Sequence, residues 1–398
     1  MVIDLARENG AVGDSSVLGT KFKLSAPFAA LANGATAHAF ELDSMCQPSV
    51  GAHPGAGLVV PGLAVSQMKR NTGRELITAF VAGCEVMYRI GHAAHHSSER
   101  MGFHAPGLLG VFGGAITSGL LMKLDSTQLM HALGIAGSLT AGVLEFSKSG
   151  GMVKRLHLGR AAEGAVTAAL LANKGFTGPT QVIEGRFGFL NVYCRDAEIP
   201  LLTAGLGETW RTLTTTLKCY ACHSTAHVPV TAALAIKAQG INPSDIEAIT
   251  VAGSEKMVSH HNITEPMEMS TAQYSAPFSV ALAFYRDPRD PAVFNDSALN
   301  DPAIRALACK VKLIVRTLGP GDSTLASRVS VLMKDGREIS EDCQYYPGMP
   351  QQPLSERELA KKFQALTVAI PSARTAQLFE RCMDLESVED VSALEVCG

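Results

Sequence analysis

The sequence predicts a mainly α-helical protein with a smaller α+β segment ahead of a helical end. Three observations carry this expectation. The first half is rich in Gly and Ala and holds "MGFHAPGLLGVFGGAITSGLLM" (Met101–Met122), a run without Asp, Glu, Lys or Arg. After about Leu206 the texture changes, and the alternating runs "IEAITVAG" and "SRVSVLM" follow. Then "PLSERELAKKFQAL" returns to helical spacing behind a Ser355-x-x-Glu358 capping pattern. At 398 residues, 46% of them hydrophobic, the chain exceeds the usual size of one domain, so two domains are expected.

The charge-free run is long enough to raise a membrane span. It also holds six glycines, a proline and a histidine, and includes Gly110-x-x-x-Gly114. It therefore reads as a helix buried at the centre of a soluble α-domain, with glycines permitting close backbone approach. Similar small-residue helices are predicted at Gly73–His92, Ser126–Leu144 and Gly159–Lys174. "NKGFTGP" (Asn173–Pro179) supplies a Gly C-cap and a turn. Further on, "PSDIEAITVAGSEKM" predicts a capped turn into a strand, and "AQYSAPFSVALAFYR" a helix. "SRVSVLMKDGREISE" (Ser327–Glu341) predicts two strands around Lys334-Asp335-Gly336.

Composition excludes several function classes. The formal net charge is -3 and Lys and Arg are scattered, so no footprint for nucleic acid or an anionic membrane is present. The opening "MVIDLARENGAVGDSS" lacks the apolar stretch of a secretory signal, and the nine cysteines are odd in number. They read as reduced thiols of a cytoplasmic protein. Cys219-Tyr-Ala-Cys222-His223 matches the pattern for covalent haem attachment. That chemistry needs export, and one CxxC supplies only half a structural zinc site. No metal and no cofactor are expected. His92, His95, His96 and the pair His260-His261 have weak metal spacing and read as polar helix ends.

Four stretches concentrate His, Lys and acids among Gly and Pro. They are "NGATAHAFELDSMCQPSVGAHPGA" with His38, Glu41, Asp43 and His53; "MGFHAPG" with His104; "GGMVKRLHLGRAAEG" with Lys154 and His157; and "TLKCYACHSTAH" with Lys218, His223 and His227. Taken singly, each has a plain structural reading. His53 suits a turn, His104 a helix cap, the lysines a surface, and His38 and His157 satisfied interior positions. Brought together, they would suit a small polycarboxylate, which lysines bind as point charges. A histidine would remove a proton from carbon beside a carboxylate, and a lysine would stabilise the charge that develops.

The order of these stretches resembles the MmgE/PrpD family, which includes 2-methylcitrate dehydratases, cis-aconitate decarboxylases and iminodisuccinate epimerase. The resemblance runs through nearly the whole chain, from "NGATAHAFELDS…HPGA" through "GFHAPGLLGVFGGA", "VKRLHLGRAAEG", "EGRFGFL", "LKCYACHSTAH" and "AQYSAPFSVALA" to "PLSERELAKKF". It implies a large all-helical domain (1–206, completed by helices in 347–398) and an α+β lid domain inserted at 207–346. It also implies a cofactor-free homodimer with its active site between helical domain and lid. The site residues implied are Glu41, His53, His104, Lys154, Lys218, His223 and Tyr274. His104 would transfer the proton, Lys154 and Lys218 would hold carboxylates, and His53, His223 and Tyr274 would orient substrate or relay protons. The cysteines of CYACH would then be incidental. Two departures stand out. Asp43-Ser44-Met45 replaces an Asp-Asp-Thr often found in members, which predicts a more apolar corner of the pocket. The "NG" motif also arrives at Asn33, so roughly fifty residues that normally help bury the helical core are expected to be missing. The expected activity is a lyase, dehydratase or decarboxylase; an epimerase or a shortened carboxylate-binding homologue without turnover remain alternatives.

Overall fold

The computed structural model describes residues 1–394. The chain is mainly helical. Its first part consists of α1 (Val2–Asn9), α2 (Ala26–Ala37), α3 (Val60–Lys69), α4 (Gly73–Ala94), α5 (Ala105–Leu121), α6 (Ser126–Gly137) and α7 (Val153–Asn173). The charge-free run is α5, buried along almost its whole length. Among the described residues no helix is long and apolar enough to cross a membrane. Small residues let the helices approach closely. A Cβ on Gly110 would meet Ala161 at 3.2 Å, and one on Gly114 would meet Ala165 at 2.7 Å, so the Gly-x-x-x-Gly face lies against α7. The opposite side of α7 meets α2: a Cβ on Gly159 would fall 2.6 Å from the carbonyl oxygen of Leu31. The core around these helices also takes in Val388, Val391 and Leu394. Gly73 N–H donates to Val388 O at 2.7 Å, which ties this late segment to the start of α4.

A second core gathers residues from Tyr220 to Met333. Here β3 (Ile246–Gly253), β4 (Val311–Val315), β5 (Ser327–Met333) and β6 (Glu338–Cys343) form one sheet in the order β4-β3-β5-β6. The pair β3/β4 is parallel and the others antiparallel. Ile249, Val251 and Gly253 alternate inward along β3, as the sequence pattern predicts, and a register shift between Ile246 and Ala248 keeps Ile246 inward as well. The helices α8 (His227–Lys237), α9 (Met269–Tyr274), α10 (Ala276–Tyr285) and α11 (Pro302–Ala308) belong to the same part. Two further helices, α12 (Glu356–Leu366) and α13 (Ser372–Met383), follow. Ser355 caps α12 and forms the predicted box with Glu358.

Three predicted elements differ from what is observed. The helix expected over Ser126–Leu144 ends at Gly137. The chain then turns back to bond His104 N–H to Gly142 O (3.1 Å) and Leu144 N–H to Gly102 O (2.8 Å), which a continuing helix would forbid. The single helix expected over 272–286 is two, because Ser275 leaves the helical conformation to accept the Phe278 N–H at 2.9 Å. The helix expected from Gly159 begins at Val153 instead, which places Lys154 and His157 in its first turns.

A short antiparallel pair joins the two parts: β1 (Ser44–Cys46) with β2 (Thr215–Leu217), in register Ser44 to Leu217. Asp43 therefore lies beside Lys218. Ser44 accepts the Gly55 N–H at 2.8 Å, and Met45 pairs with Thr216. These two residues thus build the strand, and neither lines the neighbouring cleft, which corrects the apolar corner expected from them.

The close α2–α7 approach makes a stability prediction. Gly159→Ala should destabilise the fold by about 1–3 kcal/mol in urea denaturation, because the added methyl meets main chain. Gly164→Ala on the same helix should cost far less, since its methyl would meet only side-chain carbons, the nearest at 3.3 Å.

Candidate active site

The site is built where the loop ahead of β1, the start of α5, the start of α7, and the segments after β2 and before α10 converge. Asp43 is its hub. Its Oδ2 accepts hydrogen bonds from His38 Nδ1 at 3.0 Å and His53 Nδ1 at 2.6 Å. Its Oδ1 faces Lys218 Nζ at 3.6 Å. A carboxylate only accepts, so both rings carry a proton on Nδ1. The side chains of Lys218 and Asp43 are 2% and 3% exposed, so each charge is held by the other groups and hardly by water. Burial works to raise the Asp43 carboxyl, but His38, His53 and Lys218 outweigh it and hold it well below the ordinary range.

Glu41 forms the second link. It is a non-glycine residue with φ +57°, a conformation that turns its side chain toward the lysines. Lys218 Nζ donates to its Oε2 at 2.9 Å, and Lys154 Nζ lies against its Oε1. Burial, then the charges of Lys218 and Arg155, hold Lys154 well below the ordinary lysine value. Lys154 Nζ also sits 4.8 Å above the Tyr274 ring.

His104 stands at the N-terminus of α5. Its side chain does not cap the helix, as its plain reading had it; Nδ1 lies 3.0 Å from His157 Nδ1, and its ring centre is 5.9 Å from that of His38. His223 stacks on His261 with ring centres 3.8 Å apart, and His261 Nδ1 donates to the Tyr274 carbonyl at 3.0 Å. Burial holds His38 and His261 down to about 3 and keeps His104 and His223 well below the usual histidine range. Burial also raises the Tyr274 hydroxyl, which stays protonated.

A narrow cleft with about 20 Å³ of free space, partly open to solvent, is walled by His38, Glu41, Phe146, Lys154, Gln273 and Tyr274. Of the expected residues, Glu41, Lys154 and Tyr274 thus line the cleft. Lys218 joins it through Glu41, His53 through Asp43 and His38, His104 through His38 and Phe146, and His223 through Tyr274. His227, from the same stretch as His223, bonds instead to Cys222 O at 3.2 Å. Sequence reasoning left Asp43 out of the site and treated His38 and His157 as interior fillers. It also passed over Gln273, whose carboxamide donates to Phe40 O and Ala221 O at 3.2 and 3.0 Å and so ties both parts together. Only the density of His and acid around Asp43 signalled it. Cys222 is buried in the second core, and the eight cysteines of the described residues are free thiols; Cys397 lies outside them. His95 and His96 pair with Glu198 and Glu99 at the end of α4. Among the described residues one group, His38, Asp43 and His53, brings three ligand atoms within 4.8 Å. Both ring Nδ1 atoms already share one Asp43 oxygen, and a cation there would adjoin the Lys218 ammonium, so these residues fit a hydrogen-bonded hub better than an ion.

The family model described as the MmgE/PrpD N-terminal domain matches residues 1–202, and the MmgE/PrpD C-terminal domain matches residues 220–385. The chain belongs to the MmgE/PrpD family. It is similar to cis-aconitate decarboxylase of Mus musculus, 26% identical over 392 residues, covering 94% of this chain and 78% of that protein. It is 27% identical to the Homo sapiens enzyme over 388 residues (94% and 79%) and 28% identical to that of Aspergillus terreus over 410 residues (96% and 83%). These relatives support the expectation that this MmgE/PrpD protein is an enzyme of the lyase class.

The neutral histidines predict a pH dependence. His38, His104, His223, His227 and His261 all have folded values below the ordinary 6.5. Below pH 6.5 the unfolded chain therefore binds more protons than the folded one. Their contribution is complete above about pH 6.5 and is lost as pH falls toward the folded values, at most about 1.4 kcal/mol per pH unit for each ring. Denaturation midpoints measured from pH 7.5 to 4.5 should fall steeply below about 6.5. His227→Gln should reduce that slope by about one proton. A flat profile would mean that the rings are charged in the folded protein.

Proposed function

We propose that this protein is a cofactor-independent lyase acting on a small di- or tricarboxylate. It would be cis-aconitate decarboxylase-like or 2-methylcitrate dehydratase-like, with proton transfer at carbon next to a carboxylate. The observation that carries this reading is the Asp43 hub, which orients two imidazoles and faces Lys218 beside the neutral ring of His104. The names of the relatives point the same way.

Lys154 and Lys218 hold the substrate carboxylates as point charges. His104, engaged through Nδ1 with His157, uses Nε2 for the proton. In dehydration that nitrogen takes the proton from carbon, and hydroxide leaves the adjacent carbon. In decarboxylation the carbon–carboxylate bond breaks, and the electron pair left on carbon takes up a proton. Both routes pass through carbanion-like charge, which Lys218 stabilises in a site shielded from water. His53, His223 and Tyr274 orient the substrate and relay protons. Residues 207–346 act as a lid over the helical part, and the working unit is a homodimer.

The test is proton NMR in D2O with cis-aconitate, 2-methylcitrate, citrate and iminodisuccinate. Deuterium incorporation or a new product is expected with at least one of them; none with any would overturn the reading. His104→Ala, if folded, should lower turnover by about two to four orders of magnitude. Unchanged turnover would remove His104 from the proton-transfer role.

A second reading, carboxylate binding without turnover, draws on Glu41, which already occupies the space between the two lysines. Glu41→Gln frees one charge-assisted contact on each lysine. Calorimetric titration should then find citrate binding tightened about tenfold. Binding in both forms with no chemistry in either would favour this second reading.

A further inference from the structure

The late stretch "PLSERELAKKF" has no role in the chemistry above, yet one of its side chains reaches the site. Ser355 and Glu358 cap α12 reciprocally and fix where the helix begins. Two turns along, the Lys362 ammonium turns inward. It donates to the Leu42 carbonyl at 2.9 Å and to the Lys218 carbonyl at 2.7 Å. Leu42 is the residue between Glu41 and Asp43. Lys218 is the residue whose ammonium meets both of those carboxylates. One side chain from the C-terminal end thus joins the two main-chain segments on which the site's central charges stand.

Lys362 makes no ion-pair contact among the described residues; burial pulls it below the ordinary lysine value, and the Asp43 charge works in the other direction. Holding a cation there without a carboxylate in contact costs free energy. The helix that carries it has no fully buried residue, so packing of α12 gives little reason for the inward turn. The neighbouring Lys361 is exposed. The two carbonyls are what the inward lysine serves.

We infer that Lys362 is a positioning residue, which sets the spacing of Asp43 and Lys218 by clamping the backbone of both segments. The inference rests on the reading of the site given above. The distances it sets are those between the two clamped segments: Lys218 to Glu41 at 2.9 Å, and Lys218 to Asp43 at 3.6 Å. A displacement of about 1 Å at such a constellation costs on the order of 100-fold in rate. Arginine at this position would keep donors for both carbonyls; methionine would keep the length and none of the donors.

The experiment compares wild type with Lys362→Met, Lys362→Arg and the exposed control Lys361→Met. The readout is the downfield proton NMR signals of the Nδ1–H groups of His38 and His53, assigned by 15N-histidine labelling. It is joined by turnover of cis-aconitate, citrate binding by calorimetry and near-UV circular dichroism for folding. Lys362→Met should shift or broaden both Nδ1–H signals, and should lower kcat about 10- to 100-fold while KM stays within about threefold. Lys362→Arg and Lys361→Met should retain the wild-type signals. Should Lys362→Met not fold, Lys362→Leu, which also carries no donor, takes its place. A folded Lys362→Met or Lys362→Leu protein with unchanged signals would overturn the clamp. If the signals respond while wild-type protein neither turns over cis-aconitate nor binds citrate, the clamp stands and the carboxylate reading falls.

Discussion

The structure depends on one buried carboxylate. Asp43 cannot stay charged away from water unless donors and cations surround it. The loop ahead of β1 provides His38, the loop after it His53, and the third donor, Lys218, comes from the far side of the chain. The β1–β2 pair is what makes this possible, because its register puts Lys218 directly across from the end of the Asp43 loop. Gln273 and Lys362 then bond the same loop from two further places. The junction between the two parts of the fold is therefore also the place where charge is balanced. Loosening one would unbalance the other.

The helical scaffold makes that balance durable. Histidines and lysines can be buried at the starts of α5 and α7 only if those starts are held firmly. The glycines between α2, α7 and α5 bring the helix axes close enough that main chain packs on main chain. His104 and His157, each near the beginning of its helix, meet at 3.0 Å as a result. The return of the chain after α6 closes this corner: Gly142, at φ +131°, lies against the His157 ring where any side chain would intrude.

Much of this was legible in the sequence where the cause is local. The strand Ile246–Gly253 follows from alternation, and its ends are where the pattern stops. The cap Ser355–Glu358 follows from spacing, and the burial of Met101–Met122 from the absence of charge. The stretches rich in His, Lys and acids marked Glu41, Lys154 and Lys218, and the family resemblance added Tyr274; no periodicity marks any of them. What stayed hidden depends on distant partners. Asp43 reads as one more acid in a polar loop until the β1–β2 register brings Lys218 to it. His38 reads as an interior filler because its partner is an acid five residues away, a spacing with no regular meaning outside a helix. The break at Ser275 was hidden by apolar residues that suit one long helix; only the cap bond to Phe278 separates it into two.

The charges of the site also bear on how the proposed reaction would obtain its proton. Glu41 and Asp43 face Lys154 and Lys218, with the Lys362 ammonium behind them, and burial keeps the surrounding rings neutral. A di- or tricarboxylate entering this pocket adds negative charge. Each added charge raises the affinity of a nearby imidazole for a proton, since an opposite charge within about 4–6 Å favours the charged form. On the proposed reading, substrate and proton therefore arrive together. A ring that is a neutral base in the empty site becomes an acid in the occupied one, next to the carbon where charge develops. On that reading, the neutral state that burial gives these rings in the empty site is what a bound carboxylate would change.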